Sequence, residues 1–196
     1  MHNTGIIILA AGNSSRLGRP KQLLSYNGKS LICNIVDAAL DTKPNLIVVV
    51  TGYYADEITQ DLNTKEVEIV YNEHWAEGMG SGIVVGLHKL LQLKPNIKNV
   101  ILTVCDQPFV TSDFISNLLS QKNKSNKTIV SSAYAGTSGT PVIFDRIHFE
   151  ALSSLKGTEG AKKLLEQLKE DMISVPFKKG DFDIDTEADY KKLIND

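Results

Sequence analysis

The chain has 196 residues, 42% of them hydrophobic, which suits one domain (residues 1–196) that buries on the order of 70% of its unfolded surface. Its 21 basic and 23 acidic side chains nearly cancel to a net charge of -2, which excludes nucleic acid or a membrane surface as a partner held by bulk electrostatics. Two cysteines, Cys33 and Cys105, both in apolar stretches, build neither a disulfide framework nor a zinc site and fit a reducing cytoplasm.

The start, Met1-His2-Asn3-Thr4, lacks a basic region, and the apolar run behind it is too short for a signal peptide or a membrane span, so a cytoplasmic protein is expected. Residues 6–10 read as a buried strand that opens at Ala10-Ala11-Gly12 into a loop. Asn27-Gly28 marks a tight turn or short hairpin before a helix over 31–41 capped by Ser30. Strands at 46–51, 67–71 and 100–105 alternate with helices at 54–62, 81–93 and 113–121, the last started by Thr111-Ser112-Asp113. The polar stretch 121–128 is basic but carries no aromatic side chain, and reads as a solvated loop. Strands at 129–133, 141–144 and 173–176 and a helix at 160–170 complete the pattern, with a last helix near Asp189. Strand alternating with helix predicts an α/β fold: a single-domain, Rossmann-like, mostly parallel sheet with helices on both faces.

The loop after the first strand carries Arg16 and Lys21 among Asn13, Ser14, Ser15, Gly12 and Gly18, so donors converge with no opposing charge in the loop itself. A polyphosphate fits such a loop at the carboxyl end of a first strand. The spacing excludes the Walker pattern, because Lys21 stands between Pro20 and Gln22, and the dinucleotide Gly-x-Gly-x-x-Gly is absent. Asp106 ends the strand at 100–105 and is followed by Gln107-Pro108, which projects a carboxylate from the same sheet edge. It could cap a helix, but Thr111 to Asp113 already supplies that cap, so Asp106 is the metal-ligand candidate. A second acidic cluster holds Asp183, Asp185 and Asp189, with Thr186 or Asp185 as a possible helix cap. Gly78-Met79-Gly80-Ser81-Gly82 precedes a helix and offers free amides at its positive end. Trp75 reads as a packing residue, with a platform facing a pterin as the alternative, and His74, His88 and His148 have no metal-ligand spacing.

Leu9-Ala10-Ala11-Gly12-x-Ser14-x-Arg16-Leu17-Gly18-x-Pro20-Lys21-Gln22-Leu23-Leu24 resembles the signature loop of the molybdenum cofactor cytidylyltransferases, within the molybdopterin nucleotidyltransferase family. Asn72-x-x-Trp75-x-x-Gly78-Met79-Gly80-Ser81, Val104-x-Asp106-Gln107-Pro108, Gly139-x-Pro141-Val142-x-Phe144, Gly160-Ala161 and Asp183-Ile184-Asp185-Thr186 agree in order, so the resemblance spans nearly the whole chain. Departures fall at Thr140, where the family commonly has His, at Thr158, where it commonly has Asp, and at Gly82, where it often has Ser.

The resemblance implies transfer of CMP from CTP to the phosphate of molybdopterin or molybdenum cofactor, with release of pyrophosphate. It implies a nucleotide site at Leu9, Ala10, Ala11, Gly12, Ser14, Ser15, Arg16, Lys21, Gly80, Ser81 and Asp106, with Arg16, Lys21 and Asp106 catalytic. Asp106 and Asp185 would hold Mg²⁺, with Mn²⁺ as a substitute, and a recipient molybdoenzyme or its chaperone would take the product. Ala-Ala-Gly at 10–12 goes with cytidine transfer in that family. Two other classes stay open: a nucleotidyltransferase acting on a sugar or alcohol phosphate, and a nonenzymatic module that binds nucleotide or cofactor.

Overall fold

The computed structural model describes residues 3–195, so the expectation for Met1 and His2 lies outside the described residues. The central strand β1 (Thr4–Leu9) is a run of β-branched residues because both of its faces are covered. Ile6 and Ile8 point into one apolar layer and Ile7 into the other, all 0% exposed. After the loop at 10–24, β2 (Ser25–Tyr26) and β3 (Lys29–Ser30) form the expected hairpin around Asn27-Gly28, both with positive φ.

Helix α1 (Leu31–Asp41) starts where Ser30 accepts the Cys33 N–H, as its sequence predicts. There follow β4 (Leu46–Thr51), α2 (Ala55–Asp61), β5 (Glu68–Tyr71), α3 (Met79–Leu93), β6 (Asn99–Val104) and α4 (Ser112–Lys124), which is capped by Thr111. Then β7 (Ile129–Tyr134) turns through Ala135-Gly136 into β8 (Thr137–Asp145), which begins four residues earlier than its apolar run because the polar half pairs with β7. A short α5 (Phe149–Ser153), absent from the sequence pattern, buries Phe149 and Leu152 behind a turn capped by Asp145. Helix α6 (Ala161–Gln167) stops short of residue 170 in a 3-10 turn, and β9 (Met172–Pro176) and α7 (Glu187–Asn195) end the chain's described part.

The seven-stranded sheet runs β5-β4-β1-β6-β8-β7-β9, parallel at every pairing except the two made by β8. Helices α1, α2 and α4 pack on one face and α3, α5 and α6 on the other. The fold is therefore the expected single-domain α/β fold with a mostly parallel sheet and helices on both faces. The chain leaves β1 toward β4 and β5 and returns to β6 on the other side, so the sheet order reverses between β1 and β6. Ligands of open α/β sheets bind at such a switch point, outside the carboxyl ends of the strands. No described helix is long and apolar enough to cross a membrane.

Candidate active site

In the shared register Leu9 lies beside Val50 of β4 and Val104 of β6, which brings the loop after β1 against Asp106. The loop is shaped by its own polar groups. Ser14 takes φ 51°, its carbonyl accepts the N–H groups of Leu17 and Gly18, and its hydroxyl accepts the Lys21 N–H at 3.1 Å. The Ser15 N–H donates to Asn13 Oδ1. These bonds fold residues 13–21 back so that Lys21 enters the site beside the strand it followed.

Lys21 Nζ lies 2.5 Å from Asp106 Oδ2 and 3.0 Å from Asp185 Oδ1, and Arg16 Nη2 lies 2.8 Å from Asp185 Oδ2. The loop's cations are thus opposed by carboxylates from β6 and from the segment before α7, a balance invisible in the loop alone. Burial works against the Lys21 charge, but the facing Asp106 carboxylate outweighs it and holds the ammonium above the usual lysine range. Burial, with repulsion from Asp106 and Asp185, pushes the Asp183 carboxyl up to about 6. Burial and the neighbouring Asp106 push the Cys105 thiol up to about 12, as befits a core thiol. Among the described residues no group of three or more His, Cys, Asp and Glu side chains forms a metal cage. The pair Asp106 and Asp185 already closes on one cation, the Lys21 ammonium, and so suits a divalent ion that takes one or two protein carboxylates and completes its shell with phosphate oxygens.

Asp189 and Thr186 have another task. The Thr186 hydroxyl accepts the Asp189 N–H, and the Asp189 carboxylate accepts the Thr186 N–H at 2.9 Å, a reciprocal cap at the start of α7. Asp185 is brought to the loop by Ile184, which is 0% exposed and packs with Leu24, Leu31 and Leu193.

A cleft of about 240 Å³ opens beside these charges, lined by Leu9, Ala10, Ala11, Gly12, Lys21 and Asp106 on one side and Trp75, Gly78, Met79 and Gly82 on the other. Gly12 and Lys21 also line the cavity that holds Ser14, Ser15, Arg16 and Asp185, so the apolar cleft and the charged loop are continuous. Trp75 faces this cleft while packing edge-on against Tyr53 at 5.2 Å.

Gly80 and Ser81 are placed differently from the expectation of free amides facing the ligand. The Gly80 N–H donates to Gly157 O, and a Cβ there would lie 2.7 Å from Glu159 O, because the loop at 156–160 stacks directly on it. The Ser81 hydroxyl is held by Asn72 Nδ2 at 2.9 Å and lies close to Gly78 O and His74 O. Both residues therefore shape the loop at 78–82 from behind and do not line the cleft.

Three buried amides went unassigned in the sequence, and each holds one loop of the site. Gln22, 1% exposed, donates to Ala10 O and Gly12 O. Asn72, 1% exposed, accepts the His74 N–H and donates to Ser81. Gln107, 4% exposed, donates to Gly180 O and accepts the Thr140 hydroxyl. The signal for two of them was an amide side chain within three residues of a strand's carboxyl end, where loop backbone needs partners away from water.

Among known proteins, nicotine blue oxidoreductase of Paenarthrobacter nicotinovorans is 28% identical over 96% of this chain and 95% of its own. The bifunctional protein GlmU of Francisella tularensis is 27% identical over 84% of this chain, which spans only 35% of GlmU's length. The crystal structure of Rv0371c from Mycobacterium tuberculosis H37Rv superposes with a TM-score of 0.85 over 100% of this chain and 99% of that one, at 25% identity. A manganese complex of Rv0371c, 24% identical, has the same fold with a TM-score of 0.81 over 98% of this chain and 97% of that one. The family described as the MobA-like NTP transferase domain matches residues 6–172, the stretch that carries the β1 loop, the glycine loop and Asp106. The chain belongs to that family and is a nucleotidyltransferase of the MobA-like kind.

Proposed function

We propose that the protein transfers CMP from CTP to the phosphate of molybdopterin or its molybdenum form, acting in the cytoplasm as one domain over residues 1–196. The observation that carries this is the convergence of Arg16, Lys21, Asp106 and Asp185 beside a small cleft walled by Leu9 to Gly12. A phosphate monoester is already ionised near neutral pH, so no side chain has to serve as nucleophile or base for it. An acceptor oxygen forms its bond to the α-phosphorus, the bridge to the β-phosphorus breaks, and the electron pair leaves on pyrophosphate. Arg16 and Lys21 hold the triphosphate and neutralise the leaving group, which requires Lys21 to exchange a carboxylate for phosphate. Asp106 and Asp185 would hold Mg²⁺ or Mn²⁺, which supplies Lewis-acid neutralisation of the phosphates when bound. Ser14, Ser15 and the backbone of residues 9–12 orient the nucleotide.

The Ala11 methyl takes up room in the cleft wall and favours a one-ring base. One methyl is worth about 1 to 3 kcal/mol of discrimination, so CTP is preferred over GTP by about 10-fold or more, and Ala11→Gly erodes that preference in a competition assay with equal nucleotides. A wild-type preference for GTP would sink the cytidylyl assignment alone.

Pyrophosphate release from CTP, Mg²⁺ and molybdopterin tests the reaction. Release only with a sugar or alcohol phosphate would reassign the acceptor. The likeness to nicotine blue oxidoreductase over nearly the whole chain favours a second reading, an oxidoreductase built on the same fold. Redox turnover of nicotine blue, with no pyrophosphate release under any acceptor, would decide for it.

A further inference from the structure

Asp106 and Asp185 lie 79 positions apart in the chain, yet they close on one ammonium even though Asp183 adds a third carboxylate nearby. Lys21 and Arg16 attract these carboxylates, but point charges do not fix where the segment at 180–185 lies against the end of β6. Two contacts do so. The Ile184 N–H donates to Asp106 O at 3.2 Å, and Gly180 O accepts from Gln107 Nε2 at 2.8 Å. At Gly180 there is no room for a side chain: a Cβ would lie 2.4 Å from the Tyr134 ring and 2.5 Å from Phe177. On its other side the Gln107 amide accepts the Thr140 hydroxyl at 3.1 Å, which ties in the β7–β8 hairpin. Gln107 is 4% exposed and bonds to Gly180, Tyr134, Thr140 and Asp183, not to the proposed metal ligands or the loop cations.

We propose that Gln107 is a positioning residue: it fastens the 180–185 segment and the β7–β8 hairpin to the end of β6, and so sets Asp185 opposite Asp106 at the distance a divalent cation needs. Thr140 completes this fastening with its hydroxyl, at a position where the resembling family commonly has histidine. The inference rests on the reading that Asp106 and Asp185 bind a divalent cation with a nucleoside triphosphate. Partners one shell removed from a ligand typically change metal affinity 10- to 100-fold when removed.

The test is Mn²⁺ uptake in the presence of CTP, read by electron paramagnetic resonance, beside CTP affinity measured in chelator. Gln107→Leu is expected to weaken Mn²⁺ uptake about 10-fold or more with metal-free CTP affinity unchanged. Thr140→Val gives a smaller loss in the same direction, and Thr140→Ser restores the wild-type value. His148→Gln is the control for general destabilisation, because His148 follows the end of β8 that pairs with the start of β6, at the opposite edge of the sheet. It is expected to leave Mn²⁺ uptake unchanged. If Gln107→Leu does not fold, the Thr140 pair decides. Wild-type Mn²⁺ uptake in Gln107→Leu or Thr140→Val, or an equal loss in His148→Gln, overturns the role of Gln107 alone. No Mn²⁺ uptake by the wild-type protein with any nucleoside triphosphate overturns the reading of the site and this role with it.

Discussion

At the scale of single residues, the site is a contest between two cations and two carboxylates that a ligand must rearrange. Lys21 is 15% exposed and bridges Asp106 and Asp185, whereas Arg16 is 70% exposed and holds one oxygen of Asp185. Their chemistry differs accordingly. Asp106→Asn keeps the size but removes the charge and one acceptor, so metal-dependent turnover should fall by about two orders of magnitude or more with the fold retained. Near-normal turnover with Mg²⁺ would remove Asp106 from the metal site. Arg16→Lys keeps the charge and loses the planar fork, so nucleotide affinity should drop by about tenfold. An unchanged nucleotide titration would confine Arg16 to bracing Asp185. The sequence marked Arg16, Lys21 and Asp106 because each follows a strand at a position where ligands gather. It could not mark the bonds between them, which depend on side chains meeting across 85 positions of chain.

At the scale of elements, β1, β4 and β6 were legible because strands buried on both faces read as unbroken apolar runs, and α1 because Ser30 caps it. The polar half of β8 was not, since its residues pair with β7 and carry no apolar signal of their own. The short α5 escaped for a related reason: one turn is too short to show a period. Its junction with β8 places His148 at 7% exposure, with Nε2 2.8 Å from the Thr128 hydroxyl. Burial holds this imidazole below the ordinary value of 6.5, so the unfolded chain binds the proton more readily. The stability it contributes is complete above pH 6.5 and is lost as pH falls through the lower folded value. Denaturant midpoints of wild type and His148→Gln, compared at pH 7.5 and pH 5, should therefore converge toward the acid end. The comparison also cancels Asp183, whose raised value acts in the opposite direction, its stabilisation being lost as pH climbs from 3.8 to about 6. A midpoint difference that is constant with pH would refute the His148 assignment.

At the scale of the whole molecule, a sheet that reverses its order beside β1 provides the crevice, and a C-terminal segment laid across it completes the charge pattern. Ile184 secures that segment, while Arg19 pairs with Glu187 at 2.8 Å and covers the Tyr190 ring at 5.3 Å. Ile184→Ala leaves a cavity worth about 2 to 5 kcal/mol of local stability. Hydrogen exchange should then quicken through residues 180–195 while β1 and β6 keep their protection, and Mn²⁺ uptake with CTP should weaken. Uniform loss of protection across the sheet would show instead that the segment and the core unfold as one unit. What the sequence determined by itself was local: the strand and helix periods, the Ser30 and Thr111 caps, the Asn27-Gly28 turn and the cationic loop, all fixed by neighbours a few residues away. The tertiary structure alone decided that Asp185 faces Asp106, that Gly80 and Ser81 turn away from the cleft, and that Gln22, Asn72 and Gln107 brace the loops. Those outcomes depend on which distant backbone groups are left without water, and a buried donor or acceptor takes whatever partner the packing of the whole chain brings within reach.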